Sequence, residues 1–165
     1  MKLNFLIFIS CLAIVCIGCQ SRSDKIIEEF RRVNASLQKS NKSFEITNAK
    51  DDVFRFIDSL KQKLNELDPS GEKLDVSTKL LSNTPTSVEL LNKLKTFYLI
   101  CTASIKDKKK LGQAQEIFDP FKFRSDWSVL DFDKMPTAGA IAMLGLFENK
   151  CWNLKEFVLN DLEAE

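Results

Sequence analysis

Residues 136–162, PTAGAIAMLGLFENKCWNLKEFVLNDL, decide the fold class. Within them Ala140, Leu144, Phe147, Cys151, Leu154, Val158 and Leu162 recur four or three residues apart over three heptads. That spacing puts every one of them on a single face of an α-helix, and a face of this length has to be covered by other helices. Pro136 suits the first turn, where its missing N–H removes no hydrogen bond. Ala138, Gly139, Ala140, Ala142 and Gly145 keep the first half of the helix slim, so a neighbouring backbone can come close, at some cost in helix propensity.

Working back along the chain, residues 111–135 are long for a plain loop and carry Phe118, Phe121, Phe123, Trp127 and Phe132. Rings in that number are expected to pack over a bundle or to form a contact surface. Before this connector, Thr86-Ser87-Val88-Glu89 has capping-box spacing behind Pro85 and opens a stripe of Leu91, Leu94, Tyr98, Cys101 and Ile105. Lys106, Lys108, Lys109 and Lys110 are expected to close that helix, complementing its negative end. Residues 72–83 read as a polar connector with a short helical turn at Thr78–Leu81.

Further upstream there are two apolar stripes. Ile26, Phe30, Val33, Leu37 and Phe44 are spaced four, three, four and seven apart, with charges on the other faces, and Asp24 is placed to cap the helix. Val53, Phe54, Ile57, Leu60, Leu64 and Leu67 form the second stripe, which Asp68-Pro69-Ser70-Gly71 stops. No proline or glycine interrupts residues 25–67, so one rod and a hairpin both fit; the change of pattern favours a break near Ala49–Lys50. The expectation is an all-α fold, an up-and-down bundle of about four helices with an aromatic-rich connector before the last.

The amino terminus reads differently. Lys2 supplies positive charge, an apolar run extends from Leu3 to Ile17, and Cys16-Ile17-Gly18-Cys19 ends it. A basic start, about 15 apolar residues and a small residue before the cut describe a secretory signal peptide, shorter than a membrane span. The cysteine after Ile-Gly resembles a bacterial lipobox, with Cys16 where leucine is usual. Residues 1–18 are therefore expected to be a lipoprotein signal peptide, Cys19 the lipidated residue, 19–24 a tether and 25–165 the bundle domain. The absence of Asp at Gln20 points to the outer membrane, facing the periplasm, rather than the inner one.

The mature body would be about 147 residues, enough for one domain with its own core. Without Lys2 its Lys+Arg and Asp+Glu balance at 23 each, so no bulk field favours nucleic acid. Cys101 and Cys151 are the thiols left after Cys19, and either a disulfide or two buried thiols fits them.

Catalytic chemistry has little to work with. The chain has no histidine, the commonest general base and metal ligand. Two remaining cysteines make no zinc site, and no phosphate-binding loop is present. Glu28-Glu29 and Asp51-Asp52 sit on polar helix faces. Asp131 and Asp133 near Arg124 and Trp127 are the one grouping that suggests a pocket, of the kind that holds a small ligand or cell-wall component. No catalytic residue, metal or cofactor is expected.

Two stretches carry a family resemblance. Glu29-Phe30-Arg31-Arg32-Val33-Asn34-Ala35-Ser36-Leu37, followed by Ser40-Asn41-Lys42, is one. Trp127 with Phe132-Asp133-Lys134-Met135-Pro136, Ala140, Leu144 and Glu148-Asn149 is the other, with Glu148 where glutamine would be expected. In these, and in helix order over most of residues 25–163, the chain resembles the N-terminal periplasmic domain of GldM (PorM), the gliding-motility and type IX secretion subunit of Bacteroidetes-type bacteria. The resemblance implies a non-catalytic helical interaction domain with secretion or gliding proteins as partners. It does not carry over proton coupling, because residues 3–17 hold no membrane-embedded charge, and the β-rich domains that follow in that family have no counterpart before Glu165. The expected role is a membrane-anchored, periplasmic protein-interaction module with Phe121, Phe123, Trp127, Phe132 and Met135 as candidate contact residues. The alternative is a periplasmic lipoprotein that binds a small ligand or cell-wall component through the same aromatics.

Overall fold

A computed structural model describes the backbone of residues 2–82, 84–122, 132 and 135–164, and the side chains of these from residue 25 onward except Thr84. The described chain is all-α. Its elements are α1 (Lys2–Leu67), α2 (Leu74–Leu81), α3 (Thr84–Thr102), α4 (Lys108–Ile117), a 3₁₀ turn (Pro120–Lys122) and α5 (Thr137–Ala164). Compactness divides it into two units, Met1–Lys42 and Ser43–Glu165. Among the described residues no helix is long and apolar enough to cross a membrane.

In the larger unit, helices α2, α3 and α4 all pack on α5. Its first-read stripe is the core: Ala140, Leu144, Phe147, Cys151, Leu154 and Val158 are all buried. They meet Leu90, Leu91, Leu94, Phe97, Tyr98 and Cys101 of α3 and Ile46, Val53, Ile57, Leu60 and Leu64 of α1. Phe118, at the end of α4, tilts against Phe147 with ring centres 6.5 Å apart. Cys101 and Cys151 are both buried, and no disulfide joins them. Burial pushes the Cys151 thiol well above its ordinary pKa, with Cys101 and Glu148 adding to the shift.

Polar links at the rim tie α1 to its neighbours. Lys61 Nζ donates to Glu148 Oε2 of α5 at 2.5 Å, and Lys93 Nζ of α3 donates to Asp52 Oδ2 at 2.8 Å. The Lys50 ammonium lies 4.8 Å from the Phe54 ring centre and 5.1 Å from that of Trp152 on α5, a cation–π contact to each.

The turn after α1 organises the start of α5. Asp68 is buried; its Oδ1 accepts from Ser70 Oγ at 2.6 Å and its Oδ2 from Lys73 N at 2.8 Å. Gly71 takes φ +75°, a conformation side chains disfavour, and a Cβ there would sit 3.1 Å from the Ala138 Cβ. The carbonyls of this turn satisfy the first free N–H groups of α5: Thr137 N donates to Lys73 O at 3.1 Å and Ala138 N to Gly71 O at 2.9 Å. The Ser77 hydroxyl of α2 lies 2.5 Å from Met135 O and 2.9 Å from its own helix's Leu74 O, and holds the chain entering α5.

Several expectations change. Helix α1 runs through Ala49 and Lys50 without a break. Asp24, expected to cap a helix beginning near Lys25, lies inside the same helix. The polar connector at 72–83 holds a two-turn helix, α2. The capping-box residue Thr86 lies inside α3, which starts at Thr84.

The lysines do not close α3. That helix ends at Thr102, and Lys108, Lys109 and Lys110 open α4 instead, within the stretch read as connector. The reason is Asp107, whose Oδ1 accepts from Lys110 N at 2.9 Å and caps the new helix. Those backbone N–H groups, Lys110 first and Lys109 next, hold the Asp107 carboxyl below its ordinary pKa. Three lysines at a positive helix end are unfavourable on their own; the Lys110 side chain is drawn off to Asp161 on α5.

Candidate functional site

The aromatic connector resolves into unlike parts. Phe132 is buried and belongs to the core. Met135 is half-buried and packs against it. Phe121, in the 3₁₀ turn, is about half exposed; its ring meets Tyr98 edge-on at 5.8 Å, and Lys95 Nζ lies 5.2 Å from its centre. Phe123 and Trp127 lie outside the described residues, as do Arg124, Asp131 and Asp133. The structure therefore brings Phe132 and Met135 together as packing and leaves Phe121 at the surface. Burial of the Tyr98 hydroxyl raises its pKa, with Gln115 opposing and Asp119 adding.

A surface groove of about 440 Å³ runs between α1 and α3, lined by Ala49, Asp52, Glu89, Lys93 and Phe97 among others. Its central charges are committed to each other, since Lys93 pairs with Asp52. Sequence reading gave no sign of this groove, because its residues come from two helices about forty positions apart.

The largest departure from a covered bundle lies on α1. Ile26, Phe30, Val33 and Leu37, read as an apolar stripe, are 65%, 69%, 50% and 56% exposed, and Ile27 beside them is 49% exposed. All five belong to the smaller unit. Exposed leucines or valines scattered singly need no explanation, but a contiguous stripe rimmed by polar residues marks a binding surface. On the far side of the helix Glu28 and Arg32 approach at 3.7 Å, an i,i+4 pair in the favoured order that supports the helix without touching the stripe.

A change of face accompanies this. Within the larger unit, Phe44 is 68% exposed and Ile46 is fully buried, two residues and about 200° apart around the helix. Counted at about 100° per residue, the stripe of Ile26–Phe44 and the core stripe of Ile46–Leu64 are in opposite phase. The stripe from Ile46 to Leu64 lines the core of the larger unit, and Ile26–Leu37 of the smaller unit are exposed.

The Cys19 side chain lies outside the described set. Comparisons with models of known families, with curated proteins and with solved structures each find no match.

Proposed function

We propose that the protein is a non-catalytic lipoprotein, anchored through Cys19 and facing the periplasm, that serves as a protein-interaction module. The observation that carries the reading is the exposed apolar stripe Ile26–Leu37, which begins seven residues after the anchoring cysteine. Exposing a stripe of this composition to water costs about 25 cal/mol for each Å² until something covers it. The lipobox-like Ile17-Gly18-Cys19 supports the anchor, and the GldM-like stretches support an accessory role in gliding or type IX secretion. A ligand-binding role through the connector has less support: of its five candidate residues, one is core, one packs against the core, and one is seen at the surface.

Two experiments test the parts separately. Cys19→Ser is expected to abolish acylation and processing, so that the chain appears unprocessed or leaves the membrane fraction. Unchanged processing and attachment would remove the anchor from the reading. Pull-down of the lipid-anchored chain from native membranes is expected to recover gliding or secretion components; their absence removes that partner class.

A further inference from the structure

We propose that the exposed stripe of α1 is covered by further copies of this chain, associating in parallel as a bundle of three or four helices. The parallel order rests on the anchor reading, since lipids on Cys19 would place every amino terminus in one membrane. The association itself rests on the stripe.

The period comes first. Ile26, Phe30, Val33 and Leu37 repeat four, three, four, and Ser40 and Phe44 continue the same count. This is the 3.5-residue seam of a coiled coil, with Phe30 and Leu37 at a and Ile26 and Val33 at d. Charges avoid the seam: Glu28, Arg31, Arg32, Lys39 and Lys42 fall at b, c or f, the outward positions. In a parallel pair the flanking g and e positions set Glu29 opposite Asn34 and Ser36 opposite Asn41. No like charges meet, so the sequence tolerates itself as a partner.

A lipid surface fits less well. A helix lying in a bilayer interface sets Lys and Arg at the edges of its apolar face, where they can reach the headgroups. Here Glu29, Asn34 and Ser36 border the seam, while Arg31, Arg32 and Lys39 lie more than about 100° from its centre.

Branching sets the number of copies. A β-branched residue at d with an unbranched-β residue at a favours three or four helices over two. Ile26 and Val33 at d, with Phe30 and Leu37 at a, follow that rule. Ile27 at e agrees, because a two-stranded seam leaves much of that position in water and larger bundles cover it. Area points the same way. Five side chains, half to two-thirds exposed, present roughly 500 Å² of apolar surface per copy, taking about 200 Å² for a fully exposed large side chain. Two copies would bury about 1,000 Å², the lower limit for specific association, and three or four would exceed it.

The test uses the full chain. Extracted from membranes in mild detergent, it is expected to sediment with the mass of three or four chains, and Leu37→Asp is expected to reduce this to one while the thermal unfolding of the core stays unchanged. In intact membranes treated with diamide, Val33→Cys is expected to form a disulfide between like positions, and Ala35→Cys, at the back of the helix, is not. A mass of one or two chains, or equal cross-linking at 33 and 35, overturns the proposal. So does binding of the Cys19→Ser chain to phosphatidylglycerol vesicles that Leu37→Asp abolishes, since that would give the stripe to lipid. Sedimentation does not depend on the anchor, so unchanged processing and attachment of the Cys19→Ser chain would remove the parallel order and leave the association standing.

Discussion

Phe147→Ala lowers the stability of the core by about 3–5 kcal/mol, the usual loss when a buried aromatic is cut back to a methyl. The ring is buried on α5, tilted against Phe118 of the α4 terminus, and lies among residues of three helices. Its removal forfeits transfer energy and leaves a cavity that these helices cannot close without moving one another. At roughly 2–4 °C per kcal/mol for a chain of this size, the melting temperature falls by about 6–20 °C. Phe147→Leu, which keeps most of the volume, costs much less. Calorimetry or circular dichroism on both variants decides the matter. A drop of less than about 3 °C for the alanine variant would mean that α4 and α5 do not share one core.

The second large effect concerns acid. The Asp68 carboxyl is held down at about 2, from an ordinary 3.8, chiefly by the Ser70 hydroxyl; burial opposes this, and the Lys73 N–H, Thr137 and the Lys73 charge assist. The unfolded chain therefore takes up the proton first on acidification. The stability Asp68 contributes is complete above about pH 4 and disappears as pH falls towards 2. Asp68→Asn removes this contribution and offers an N–H₂ where Lys73 N or Ser70 Oγ needs an acceptor. Its melting temperature is expected to be lower than wild type at neutral pH, with a smaller acid-induced drop between pH 5 and pH 2.5. Asp75 and Asp107, also held below their ordinary values, keep the remainder. Parallel melting curves for the two proteins across that range would show otherwise. The turn would then owe its shape to backbone bonds alone.

What the sequence discloses follows from how local each signal is. The α5 stripe and the Val53–Leu64 stripe are read correctly, because a covered helix face repeats over many turns and no other element imitates it. Of helix α2 only the last turn, Thr78–Leu81, is foreseen, because the helix is two turns long and its Ser77 is held by the Met135 carbonyl, a partner 58 positions away. Helix α4 is missed because four basic residues look like the end of a helix. Asp107, one residue inside that cluster, reverses the reading. The break expected near Ala49 is a real change, wrongly interpreted. The apolar pattern does switch phase between Phe44 and Ile46, but the helix continues. Exposure of Ile26–Leu37 was beyond sequence reasoning altogether, since a buried apolar stripe and an exposed one are written alike.

The two thiols at the centre of the bundle have a practical consequence. Alkylation and disulfide exchange need a thiolate in contact with solvent. Neither Cys101 nor Cys151 reaches solvent in the native state, and burial holds Cys151 in its protonated form. They become reactive only when α3 and α5 part. The rate at which a small alkylating reagent labels them at neutral pH therefore counts how often that seam opens. The molecule carries a clock for its own breathing, readable by mass from its native cysteines.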